Sequence, residues 1–169
     1  MKKTFLKNKK NIQFLIIGLG LIGGSVAKRL SKNGFEILAI EKNKSHLNHA
    51  KKSKILNGGL EKIDSTKKLF VIVALPPKIL LRNFDKYLDL FHKADFVTDC
   101  TSVKGSLLNK IKKNKLESKF ILSHPIAGSE KSGFMNSNED LFRNRISIIS
   151  KHKGLSLIHI SEPTRQPCI

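Results

Sequence analysis

The sequence predicts an α/β fold built on a doubly wound, mainly parallel sheet. Three observations predict it. Short apolar runs alternate with longer amphipathic segments, a glycine-rich turn joins the first run to the first segment, and the 169 residues are 40% apolar and 27% charged. That length holds one ordinary domain, or one and a fragment, and the composition suits a chain that buries a core.

Taken in order, Phe14 to Ile17 is a continuous apolar run, as expected of a strand buried on both faces. Ser25 to Lys32 follows with apolar residues at helical spacing, and Ile37 to Ile40 returns to strand character. Lys44 to Lys54 reads as the next covering helix and Leu69 to Leu75 as the longest strand. Ile79 to Phe91 carries periodic apolar positions over one helix, Phe96 to Asp99 is a short strand, and Ser106 to Lys113 is again amphipathic. Phe120 to Leu122 and Ile146 to Ile149 complete six strands, and the alternation is the mark of crossover connections in one sheet. No internal repeat is present.

The net charge is +19, from 32 basic and 13 acidic residues. Lysine supplies 27 of the 32 and arginine 5, and the lysines are scattered along the chain. Specific phosphate and base recognition leans on bidentate arginine, so the charge reads as a solvated surface and no nucleic-acid partner is expected. Met1 to Lys10 is basic and precedes an apolar run, as in a secretory leader, but Gly18, Gly20, Gly23 and Gly24 interrupt that run too early. No membrane span is expected. Cys100 and Cys168 form neither a disulfide framework nor a zinc spacing, and His46, His49, His92, His152 and His159 show no ligand pattern. A cytoplasmic protein without a metal is the expectation.

The sharpest local signal is Gly18-Leu19-Gly20-Leu21-Ile22-Gly23, after a strand and opening a helix. Gly18 permits the tight turn, Gly20 lets backbone approach a pyrophosphate, and Gly23 lets the helix pack closely, while Leu21 and Ile22 bring first-turn amides. Glu41, just past the second strand, is placed to bind ribose hydroxyls. Together they predict a Rossmann-type dinucleotide site. The acidic residue favours NAD, and Lys42 and Lys44 nearby leave NADP open.

His124 precedes Pro125 at the carboxyl end of a predicted strand, where open α/β sheets hold their ligands. A lone histidine is more often a loop or core residue, yet at this place a group titrating near neutrality can handle a substrate proton. Ser102 reads equally as a helix cap or as a site hydroxyl. Lys104 either favours an anion or faces water.

Three ordered stretches go further: Gly18 to Ser25, Asp99-Cys100-Thr101-Ser102-Val103-Lys104-Gly105, and His124-Pro125-Ile126-Ala127-Gly128-Ser129-Glu130. With Lys131 to Phe134 and Leu141-Phe142, they resemble the nucleotide-binding domain of the prephenate dehydrogenase family over about residues 12 to 149. The resemblance implies NAD-dependent oxidative decarboxylation of prephenate to 4-hydroxyphenylpyruvate, or of arogenate to tyrosine, in tyrosine biosynthesis. It implies His124 as the catalytic histidine, with Ser102 bonding it and the substrate hydroxyl. It matches Glu130 to an acidic position at the site mouth, where a solvated loop residue is the alternative, and lays Ala74 to Pro77 along the cofactor.

Family members also carry a helical dimerisation domain and act as homodimers. That domain, with the arginine that holds the substrate carboxylate, is expected to be absent here, and none of Arg143, Arg145 or Arg165 maps onto it. The expected organisation is a basic extension over 1–10, a nucleotide-binding domain over 11–153, and a tail over 154–169 that resembles translated adapter sequence. A fragment of this kind is expected to be inactive alone, and a non-catalytic nucleotide-binding module is the alternative.

Overall fold

Runs of branched apolar residues form the centre of a single sheet in the computed structural model, which describes residues 8–127 and 130–150 and the backbone of 166–167. The parallel strands are β1 (Ile12–Ile17), β2 (Glu36–Ile40), β3 (Lys68–Val73), β4 (Phe96–Asp99) and β5 (Phe120–Ile126), in the order β2-β1-β3-β4-β5. β6 (Ile146–Ser150) runs antiparallel to β5, and the two-residue β7 (Gln166–Pro167) antiparallel to β6. All six expected strands are present; β7 is additional and falls inside the segment read as a tail. The antiparallel direction of β6 follows from its connection, which among the described residues holds one short 3-10 turn, Phe134–Asn136, and no crossover helix.

β2 has a further neighbour in rudiment. Leu38 forms an isolated parallel bridge with Gly58, and Asn57 accepts the Ile37 N–H at 2.9 Å through its side chain. Counting this remnant as a strand gives the dinucleotide-fold order, with the reversal of direction beside β1. The ligand crevice of such a sheet lies at that reversal, so the glycine turn after β1 occupies it.

One face is covered by α1 (Leu21–Lys32) and α2 (Lys44–Lys52), which pack Ala27 and Ala50 over Ile16, Ile37 and Ala39. Asn43 caps α2, accepting the amides of Ser45 and His46. The other face carries α3 (Pro77–Asn83), α4 (Leu88–Lys93) and α5 (Gly105–Lys113), with Leu80, Phe84, Phe91, Leu107 and Ile111 over Leu15, Ile17 and Val71. The single helix expected over 79–91 is thus two, split by a 3-10 turn at Phe84–Tyr87. Asn83 explains the break: its side-chain amide donates to the Ile79 carbonyl at 2.8 Å and competes with the backbone of the helix.

The segment after β5 folds back over α1. Asn138 N–H donates to the buried Ser25 hydroxyl at 2.9 Å, Lys28 Nζ donates to the Ser137 carbonyl at 2.7 Å and lies 4.9 Å from the Phe134 ring centre. Gly24 makes room for this strap, since a Cβ there would meet Phe134 and Ser137 at 2.8 Å.

Candidate functional site

The site begins where β1 ends. Gly18 turns the chain with φ +96°, and its amide donates to the Ile40 carbonyl at 2.9 Å, which ties the turn to β2. Any Cβ on Gly18 would press on the Ala74 carbonyl oxygen at 2.8 Å, and one on Gly23 would collide with the carbonyl oxygen of Gly18. These two glycines therefore serve the packing of turn, helix and β3.

Gly20 differs: a Cβ there has no neighbour within 4 Å, and its φ of −74° suits any residue. The need for glycine at this position is therefore not internal to the protein. Leu21, Ile22 and Gly23 open α1, and the first amides of a helix have no carbonyl partner within it. An open cradle over Gly20, floored by unpaired amides at a positive helix end, fits a pyrophosphate.

Glu41 joins the two sides of this cradle. Its Oε2 accepts the Leu19 amide at 2.5 Å and its Oε1 accepts the Asn43 amide at 2.6 Å. Each carboxylate oxygen keeps lone-pair capacity for a ribose hydroxyl. The Glu41 charge also reaches Tyr87: burial raises the phenol above its ordinary 10.0, and Glu41 raises it further. Tyr87 lines a concavity of about 1040 Å³ with Ile40, Ile63 and Leu90, beneath the short crossover from Leu60 to Lys67 and away from His124.

Tyr87 is the only tyrosine and tryptophan is absent, so ultraviolet titration of phenolate reads this residue alone. The midpoint is expected above 10.0, and Glu41→Gln lowers it part of the way because burial is the larger cause. A raised folded value means that the native state holds the proton more tightly. The corresponding stability is complete below about 10 and declines as pH rises beyond it.

Three strands along the same carboxyl edge lies His124, on β5. Its Nδ1 is 3.3 Å from the Cys100 carbonyl oxygen, and the ring lines a concavity of about 300 Å³ with Pro125, Ile126, Ala127 and Arg145. Pro125 is accommodated because the pairing of β4 with β5 ends at Asp99 and Leu122, which leaves β5 one neighbour there.

Ser102 lies in the exposed loop after β4 and makes no hydrogen bond with His124. It does not cap α5 either: the cap position is Lys104, without a side-chain bond to the helix. Glu130 is exposed, and Gly128 and Ser129 of the same stretch lie outside the described residues, as do His152, His159 and Cys168.

Lys104 neither faces water nor waits for an anion. Its ammonium turns inward to Asp99 at 2.5 Å, where the carboxylate is fully buried. This pair went unseen in the sequence, where a loop lysine five residues from an aspartate gives no periodic signal. The placement of Arg145 beside His124 is likewise a product of the antiparallel return.

A family model described as prephenate dehydrogenase, nucleotide-binding domain, matches residues 26–155. The prephenate dehydrogenase of Lactococcus lactis subsp. cremoris is 33% identical over 147 residues, 82% of this chain and 41% of that protein. That of Bacillus subtilis is 30% identical over 85% of this chain and 40% of its own length. Among solved structures, Aquifex aeolicus prephenate dehydrogenase superposes with a TM-score of 0.71 at 30% identity, covering 86% of this chain and 54% of that one. Another structure of the Aquifex aeolicus enzyme, in complex with hydroxyphenyl propionate and NAD+, gives 0.69 at 29% identity over 85% and 52%. Synechocystis arogenate dehydrogenase gives 0.72 at 25% identity over 86% and 52%. The chain spans about two fifths of the curated relatives and about half of the solved ones.

Proposed function

Because the chain belongs to the prephenate dehydrogenase family through its nucleotide-binding domain, we propose that it supplies the NAD-binding half of an enzyme that oxidatively decarboxylates prephenate to 4-hydroxyphenylpyruvate. The observation that carries the reading is the placement of His124 on the carboxyl edge that also bears the open cradle at Gly20. Three strand spacings separate β1 from β5, about 14 Å. A ligand whose pyrophosphate rests on the turn has to extend along the edge to reach His124, as a dinucleotide does.

The residues divide the work. Gly20 and the amides of Leu21, Ile22 and Gly23 hold the pyrophosphate, and Glu41 accepts from the ribose hydroxyls. Bound there, NAD supplies the hydride acceptor for oxidation of the substrate ring. His124 receives the proton of the ring hydroxyl. A carbonyl has no proton to give, so the bond to Cys100 places hydrogen on Nδ1 and leaves the lone pair on Nε2 for that task. Ser102 and Glu130 approach the substrate from loops at the mouth.

Arogenate is the second reading, favoured by the similarity to the Synechocystis enzyme. The domain is read as 11–153, opening at β1 and including most of the family match over 26–155, with 154–169 a tail of foreign sequence. A dimer and a cytoplasmic location follow the family reading.

Calorimetric titration of the chain with NAD and then NADP tests the cofactor assignment. Saturable binding of NAD, tighter than that of NADP, is expected, because the Glu41 carboxylate repels a 2′-phosphate. A folded chain that binds neither would refute it.

A further inference from the structure

A buried ion pair stands next to His124 with no part in the steps above. Asp99, at the end of β4, is fully buried, and Lys104 retains 18% of its side-chain exposure. One carboxylate oxygen of Asp99 receives Lys104 Nζ at 2.5 Å, the Thr101 amide at 3.0 Å and the Thr101 hydroxyl at 2.5 Å. Lys104 Nζ also donates to the Ser123 carbonyl at 2.6 Å, and the Ser123 hydroxyl donates to the Asp99 carbonyl at 2.7 Å. Thr98 extends the chain, 3.0 Å from the Ser123 hydroxyl.

This network closes the loop over residues 100–103 at its base and stitches it to the peptide that precedes His124. Joining two parallel strands needs no charge, and a buried ion pair gains little over apolar packing as a source of stability. What it does provide is fixed geometry. The loop it closes presents the Cys100 carbonyl, and that carbonyl lies 3.3 Å from His124 Nδ1. Since a carbonyl only accepts, its position decides which imidazole nitrogen carries the proton.

We propose that Asp99 and Lys104 are positioning residues that hold the Cys100 carbonyl against His124, select the Nδ1–H tautomer and so keep the lone pair on Nε2. For its catalytic meaning this rests on His124 being the base; the tautomer itself is readable without turnover.

The test is nitrogen-15 NMR of the histidines in the full 169-residue chain, with the His124 signals assigned by their loss in His124→Asn. In the unaltered chain the neutral ring is expected as Nδ1–H. In Lys104→Met, and in the double variant Asp99→Asn with Lys104→Met, the Nδ1–H form is expected to fall from the major to the minor species. The double variant removes the buried charge along with its partner and so guards against a single variant that fails to fold. A wild-type ring in the Nε2–H form, or a folded variant that keeps the Nδ1–H form, overturns the proposal. NAD titration of the same samples reads the cofactor assignment separately: failure to bind NAD counts against that assignment and leaves the tautomer result standing.

Discussion

A valine at position 20 removes saturable NAD binding and leaves the fold in place. The backbone there is ordinary, with φ −74°, and an added Cβ meets nothing within 4 Å. The melting temperature is therefore expected to stay close to that of the unaltered chain. On the proposed reading the side chain fills the volume of the pyrophosphate and screens the first-turn amides from any anion that approaches. Calorimetry should show affinity reduced at least about 100-fold, a loss of about 2.7 kcal/mol. Gly23→Ala provides the contrast, since its Cβ collides with the Gly18 carbonyl and disturbs helix packing itself. Retained NAD affinity in a folded Gly20→Val chain would place the cofactor elsewhere.

The second large effect is expected at His124. In a chimera that joins residues 1–153 to the portion of the Lactococcus lactis relative beyond this chain's match, His124→Asn should lower kcat by about 10²-fold or more with NAD affinity unchanged. Asparagine approximates the shape of the ring and retains a donor for the Cys100 carbonyl, but it has no group able to take a proton near neutrality. Stopped-flow measurement of NADH formation reads the chemical step. An equal loss of NAD binding in this variant and in Gly20→Val would undo the division of labour between the two ends of the crevice.

What was legible in the sequence was local. Ile16, Ile37 and Val71 lie in runs whose burial on both faces leaves no polar alternation, so strand character shows in composition alone. The glycine turn was legible because its glycines recur at a fixed spacing between a strand and a helix, and Glu41 because its distance from that turn is set by one helix and one strand. Features that turn on a single side-chain bond or on a connection without periodicity were not. The break at Asn83 turns on one side-chain bond competing with a helix, and the direction of β6 on a connection without periodicity. Lys104 looked like a solvent or anion-facing residue because nothing in its neighbours announces that the loop curls back to bury Asp99. For the same reason the sequence leaves Ser102 open between a helix cap and a site hydroxyl, although Lys104, two residues beyond it, takes the cap position of α5.

The strap that covers α1 bears on how the chain acquires its structure. Ser25, Lys28 and Arg29 reach Asn138, Ser137 and Asp140 across sequence separations of 113, 109 and 111 residues. Contacts so far apart carry a large loop-closure cost and form late, whereas β1, α1 and β2 are neighbours in the chain. On the ribosome the first half of the sheet can assemble while α1 still has one side bare, and its outer coat arrives only after residue 140 has emerged. The helix that opens on the nucleotide cradle is thus among the first to form and the last to be sealed.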